Sequence, residues 1–273
     1  MMHPMNPEFL TQEALAEVAR AAEAAGFDAL AVTEHPMPND EWLAGGGHDA
    51  LDPFVALSFA AAATTRIQLL TNLTVVPYRN PFMLAKAAAT LDRLSNGRLI
   101  LGCGTGYLKE EFDALGVDFD ERNALFDESL DLLRKTWSGK TVRVRGRHFE
   151  AVANTANPVP AQSRIPIWIG GNSAPALRRA KAMGDGWHGT RVPIEDIAAI
   201  TADLRAARGP DFPLSMRVFW DPLEDDHDSL KAMAEAYSAA GIDALIMEPR
   251  QRGLEDWLRA VEGLWAVLQP WHD

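Results

Sequence analysis

The sequence predicts an α/β fold: a (β/α)8 barrel with an insertion and with its first strand missing or truncated. Three observations carry the prediction. Short apolar runs alternate with helical patterns along nearly the whole chain, which calls for a parallel sheet covered by helices. The 273 residues, 47% of them hydrophobic, suffice for one large core, and no Gly/Ser-rich or Pro-rich spacer divides them. Seven strand-like runs are present, at the second to eighth positions of a possible eight. Periodicity alone leaves a doubly wound sheet as the rival.

The elements follow in order. Residues 11–25 carry Leu15, Val18, Ala19 and Ala22 at helical spacing, with Gly26 as the stop. A strand at 27–33, a helix at 52–63 and a strand at 67–76 come next. Asn80-Pro81 is a helix start, an N-cap residue with proline at the first helical position. That helix runs to Leu94, and a strand occupies 98–102. Asp120 is the expected cap of a helix ending near Trp137. Residues 141–157 break the rhythm: Val142, Val144 and Phe149 alternate with polar residues around Arg145-Gly146-Arg147, the pattern of an inserted hairpin. Strands at 165–169, 186–189, 214–220 and 242–247 then alternate with helices at 174–183, 194–207, 229–240 and 254–268. The opening residues 1–7 contain two prolines and make a poor first strand. Either the barrel is incomplete or the native start lies upstream.

Composition narrows the function. A net charge of −12 disfavours non-specific binding to nucleic acid or anionic membrane. A single cysteine, Cys103, permits no intrachain disulfide and fits a reducing compartment. There is no signal-peptide pattern at the start and no apolar run near the ~20 residues of a membrane helix, so a cytoplasmic protein is expected. The seven histidines are scattered and give no metal-ligand spacing.

In a (β/α) barrel the chemistry sits where strands end and βα loops begin. Glu34-His35 follows the second strand position, and a histidine there can exchange a proton or bind a ligand; a loop histidine is the alternative. After the third comes Asn72-Leu73-Thr74, where polar residues interrupting an apolar strand suggest a bulge or a polar wall. After the fourth comes Gly102-Cys103-Gly104-Thr105-Gly106-Tyr107. Its glycines allow close approach of backbone to a ligand, or simply tight packing. Cys103 reads as a core thiol. After the fifth comes Gly170-Gly171-Asn172-Ser173, leading into the helix that bears Arg178 and Arg179. Strand, Gly-Gly and helix N-terminus read as an anion cradle, the strongest physical signal in the chain; a tight turn with Asn172 or Ser173 as the helix cap is the alternative. His188, on the next strand, is as readily structural as catalytic.

Taken together, Leu94-Ser95-Asn96-Gly97-Arg98 with Leu99 to Tyr107, Glu110-Glu111-Phe112 to Gly116 with Arg122 and Phe126, Pro166 to Gly171, and Gly184-Asp185-Gly186-Trp187 resemble the luciferase-like monooxygenase family. The likeness is nearest to its deazaflavin (coenzyme F420)-dependent branch. It covers nearly all the chain after Pro7. It implies a TIM barrel, a cofactor across the strand ends, a non-prolyl cis bond at Asn72–Leu73, cofactor phosphate at the Gly-Gly turn, and a homodimer. It also matches His35 to a histidine at the reactive face of related sugar-phosphate dehydrogenases. Tyr107 stands where those enzymes carry a catalytic glutamate, so their particular reaction does not transfer.

The expectation is therefore an oxidoreductase moving a hydride between coenzyme F420 and a small organic substrate. His35 and Tyr107 are its catalytic candidates. Glu34, Asn72, Leu73, Thr74, Gly104, Thr105, Gly106, Gly170, Gly171, Asn172 and Ser173 are the cofactor-binding ones. An FMN-dependent monooxygenase and a non-catalytic flavin-binding barrel are the alternatives.

Overall fold

The structure, a computed structural model, describes residues 1–220, 226–249 and 253–268. Helix α1 (Gln12–Ala24) is capped by the Thr11 side chain and buries Leu15, Val18 and Ala22. It delivers the chain to β1 (Ala29–Val32), after which come the short α2 (Asp40–Ala44) and α3 (Pro53–Ala63). The third strand position is split into β2 (Gln68–Thr71) and β3 (Thr74–Val75), with the cis peptide bond Asn72–Leu73 between them. The bulge expected from the polar interruption lies at that break.

Helix α4 (Pro81–Leu94) starts on the Asn80 cap with Pro81 at its first turn, and β4 (Leu99–Gly104) is buried throughout. A short α5 (Lys109–Ala114) precedes α6 (Arg122–Trp137). The residue before α6 is Glu121, whose side chain makes no capping bond; the expected Asp120 cap is not formed. The insertion forms the antiparallel hairpin β5 (Val142–Arg145) and β6 (Glu150–Asn154), separate from the main sheet. Buried Asp92 anchors the return from it, accepting from the Ala161 and Gln162 amides and from Gln162 Nε2. Then come β7 (Ile167–Gly170), α7 (Ala174–Met183), β8 (Gly186–Thr190), α8 (Ile194–Arg208), β9 (Leu214–Trp220), α9 (His227–Ala239), β10 (Ala244–Pro249) and α10 (Leu254–Leu268).

All pairs along β1-β2-β4-β7-β8-β9-β10 are parallel. The ring is completed by the chain's own start. Met2 forms a parallel bridge to Ala31 of β1, the amides of His3 and Ala31 bond to Ala31 O and Met1 O, and the Met2 amide donates to Met247 O of β10 at 2.8 Å. Residues 1–3 thus occupy the place of the first strand. Two prolines argued against a strand, but both lie beyond this stretch, at positions 4 and 7.

Two apolar layers result. Met2, Ala31, Leu70, Ile100 and Ile246 pack inside the barrel with Trp168, while the larger cluster lies between sheet and helices. The Gly97-Arg98 motif works at the N-terminal end of the strands. There the Arg98 guanidinium reaches Thr64 Oγ1, Ile67 O and Ala61 O, stitching α3 to β2 and β4. Asp185 does similar service, pairing with Arg134 and Arg164 and accepting from the Ile167 amide. No helix among the described residues is long and apolar enough to cross a membrane.

Two buried histidines make stability pH-dependent. Burial, with the Arg217 charge adding to it, lowers the His188 pKa to about 3, and burial lowers that of His3 to about 4. Both stay neutral in the folded chain yet protonate near 6.5 when unfolded. The unfolded state therefore binds more protons over the interval, so the contribution of the two histidines is complete above pH 6.5 and falls toward pH 3. At pH 5, His188 alone is expected to remove about 2 kcal/mol. Urea unfolding of His188→Asn should show a pH 7.5-to-5 loss smaller by that amount; equal losses in both proteins would place the acid sensitivity elsewhere.

Candidate active site

At the C-terminal mouth of the barrel, β1 is followed by Thr33 and Glu34, both buried. Glu34 accepts the Val75 amide at 2.7 Å and the Arg79 guanidinium, and Arg79 also reaches Asp52, the N-cap of α3. Glu34 is thereby a brace that ties β1 to the bulged third strand position. Burial pushes its carboxyl above the ordinary carboxylate range, with Arg79 opposing. Asp52, which partial burial would raise, is held below its ordinary value by Arg79 and the α3 amides.

His35 follows, its side chain only 9% exposed. Its Nδ1 lies 3.2 Å from Glu111 Oε2. Glu111, from α5, is 1% exposed and also accepts the Tyr78 hydroxyl at 3.0 Å and the Met37 amide at 3.2 Å. Burial, joined by the Glu111 charge, drives the Tyr78 phenol well above its usual value. The His35 ring sits in an aromatic group, with centroids 4.4 Å from Trp42, 5.1 Å from His48 and 6.0 Å from Tyr107. Tyr107 is 66% exposed at the rim, and partial burial and the Glu111 charge raise its pKa. Across the mouth, Arg217 of β9 pairs with Glu248 of β10.

The floor of the mouth is built by glycines. Side chains at Gly102, Gly104 or Gly170 would run into Leu73, whose isobutyl group covers all three. These glycines therefore admit the bulge residue between β2 and β3. Deeper in the ring, His188 lies in register with Gly170 and hydrogen-bonds Ser215 through Nδ1 at 2.8 Å. Its Nε2 and the Thr74 hydroxyl are buried without a partner among the described residues.

Beside this floor opens a cleft of about 170 Å³, lined by Thr105, Gly106, Arg122, Asn123, Phe126, Ile169, Gly170, Ser173, Pro175, Ala176 and Arg179. It faces the first turn of α7, where Ser173 caps the helix through the Ala176 amide. Arg179 is committed to Asp127 at 2.5 Å, whereas Arg122 lies over the Phe119 ring at 3.7 Å and makes no ion pair among the described residues. The cleft therefore carries one uncompensated cation beside the positive end of α7, where, among the described residues, the Ala174 amide is left over, Pro175 has no N–H and the Ala176 and Leu177 amides are taken by Ser173; this suits an anionic group.

The structure thus gathers His35 and Tyr107 at the mouth and Thr105, Gly106, Gly170 and Ser173 at the cleft. Other expected ligand residues face protein. The Asn72 carboxamide donates to Met2 Sδ at 2.8 Å, and Asn172 exchanges bonds with the Thr190 backbone. Gly171 has φ +105°, and its carbonyl accepts Trp187 Nε1. Glu111, Tyr78, Arg79, Trp42 and His48 were not among the candidates. Glu111 was visible only as one letter of a family pattern, and nothing in the local sequence marks its burial.

A parallel α/β ring with a cleft at one helix start and a histidine–carboxylate pair at the same mouth has the layout of a (β/α) barrel enzyme. A model of the luciferase-like monooxygenase family matches residues 5–266, and the chain belongs to that family. It is a luciferase-like oxidoreductase. An uncharacterized protein of Mycobacterium tuberculosis is 31% identical over 216 residues, 74% of each chain. The F420-dependent glucose-6-phosphate dehydrogenase of Segniliparus rotundus is 35% identical over 178 residues, 63% of this chain and 51% of its own. Among solved structures, an F420-dependent secondary alcohol dehydrogenase in complex with an F420-acetone adduct superposes with a TM-score of 0.83 at 18% identity, covering 97% of this chain and 96% of its own. The FMN complex of the oxygenating constituent of 3,6-diketocamphane monooxygenase from Pseudomonas putida gives 0.80 at 15%, covering 99% and 97%. At these identities the structures show a shared fold.

Proposed function

We propose that the chain is a coenzyme F420-dependent oxidoreductase acting on a small organic molecule. The observation that carries this is the cleft at the start of α7, opening beside the Leu73-covered floor and on the same mouth as His35. The residues present fit the group: the Ser173 hydroxyl, the Ala174 amide and Arg122 would hold its phosphate, and Thr105 and Gly106 would line the approach. One uncompensated cation matches the single charge of a phosphodiester better than the dianion of FMN. The deazaflavin supplies two-electron hydride chemistry when bound. His35 would hold or move the substrate's proton, and Trp42 and Tyr107 would line its pocket. A cytoplasmic location and a homodimer belong to the same reading.

Equilibrium titration with coenzyme F420 and with FMN, followed spectroscopically, tests the reading. Micromolar or tighter F420 binding and weaker FMN binding are expected. Tighter FMN binding would favour the monooxygenase reading, and binding of neither would favour a non-catalytic barrel. Gly171→Val adds a companion prediction. A Cβ there would lie 3.3 Å from Ala176 Cβ, on a backbone at φ +105° that valine adopts only with strain. Cofactor affinity should drop at least ~10-fold, the equivalent of ~1.4 kcal/mol. An unchanged Kd in a folded variant would assign the turn a purely structural role.

A further inference from the structure

We propose that Glu111 is a positioning residue that fixes the tautomer and orientation of His35, leaving Nε2 as the nitrogen offered to the substrate. The inference deepens the functional reading above and rests on it for the meaning of that nitrogen. Three donors converge on the Glu111 carboxylate: Tyr78 Oη, the Met37 amide and His35 Nδ1. The group is 1% exposed, so water cannot replace them. An ionised carboxylate only accepts. A neutral imidazole meeting it through Nδ1 must therefore carry its proton there, and its lone pair must sit on Nε2.

The remaining contacts reinforce the geometry. Trp42 lies against the His35 ring at 4.4 Å, and the Met37 amide ties the loop after β1 to the same carboxylate, so ring plane and backbone are fixed together. The two imidazole nitrogens flank Cε1 and their in-plane bonding directions diverge widely, so Nε2 points away from Glu111. It makes no hydrogen bond among the described residues and is absent from the fully buried partnerless atoms. The charged group in contact with this ring is Glu111; across the mouth, Arg217 and Glu248 act electrostatically on neighbouring His48. A carboxylate behind the inner nitrogen of a histidine is the arrangement that sets which nitrogen works as base.

The test is ring-nitrogen NMR of His35 in the 15N-labelled protein at mildly alkaline pH, without cofactor and again with F420 bound. The wild-type protein should show a protonated Nδ1 and a bare Nε2. Glu111→Ala should shift the tautomer ratio toward the Nε2–H form by on the order of 10–100-fold, the value of one charge-assisted hydrogen bond. Glu111→Gln has one accepting oxygen for three donors and should fall between; it also keeps the side-chain volume should the alanine variant not fold. Tyr78→Phe removes a donor from the carboxylate but leaves the His35 bond, and should keep the wild-type signature. A wild-type ring protonated on Nε2, or a tautomer unchanged in both Glu111 variants, overturns the proposal. A protein with the expected signature that binds neither F420 nor FMN would instead overturn the functional reading and leave the positioning role standing.

Discussion

Replacing His35 with alanine is expected to lower turnover by ~10²–10⁴-fold, the usual span for losing a positioned acid or base, while changing cofactor affinity by no more than a few-fold. The expectation follows from placement. His35 is the first residue beyond buried Glu34, its ring is fixed between Glu111 and Trp42, and its outer nitrogen has no protein partner among the described residues. The cleft assigned to phosphate is lined by other residues, so its affinity should be nearly indifferent to the imidazole. Single-turnover change in the absorbance of bound cofactor, together with a cofactor titration of the same variant, measures both quantities. A fall in affinity with the rate intact would make His35 a binding residue only. His35→Asn keeps a polar group of similar reach but no proton-exchanging nitrogen, and should be as slow as alanine.

The contrast between His35 and Glu111 shows how far the sequence could be read. His35 was legible because the end of a strand is a position with meaning in this architecture, and the strand could be placed from its apolar run. Glu111 lies in Lys109-Glu110-Glu111, which reads as a solvated charge cluster. Its burial is created by Tyr78 and His35, 33 and 76 residues away. No local pattern encodes that. Trp42 and His48 were lost for a related reason: α2 is five residues long, too short for a helical period, and its packing on His35 is tertiary.

The long elements were legible because burial imposes a period on them. Residues 174–183 and 214–220 coincide with α7 and β9, each bounded by a capping residue or a proline. The glycines of β4 and β7 were legible as close-approach positions but not as to what approaches. Sequence reading offered a ligand or packing; the structure places Leu73 there, which ties the mouth of the barrel to an apolar side chain from the bulge. Asn172 could not be distinguished from Ser173 as a helix cap by composition, and the structure divides the work, Ser173 capping α7 and Asn172 clamping Thr190.

The first strand position is where sequence periodicity had least to offer, and it yields the largest expected effect on stability. Three residues cannot display an alternating pattern, so the strand character of residues 1–3 comes wholly from β1 and β10 on either side. Met2 is completely buried in the barrel interior beside Ala31, Leu70 and Ile246, and its sulfur accepts from the Asn72 carboxamide. Met2→Ala therefore opens a cavity, worth ~2–5 kcal/mol for a buried methionine, and strands a buried amide donor, worth ~1–3 kcal/mol more if the site cannot relax. The thermal midpoint should fall by roughly 5–15 °C for a domain of this size. Met2→Leu restores volume without the acceptor and should recover most of the packing loss, which separates the two contributions. Removing residues 1–3 altogether would leave the edges of β1 and β10 unpaired and should cost more than either substitution, with aggregation as the visible consequence. Glu8→Ala, at an exposed position, is the control and should leave the midpoint nearly unchanged. If Met2→Ala melted with the wild type, the bridge between β10 and β1 would contribute nothing to the ring, and barrel closure would have to rest on the helices that cover it.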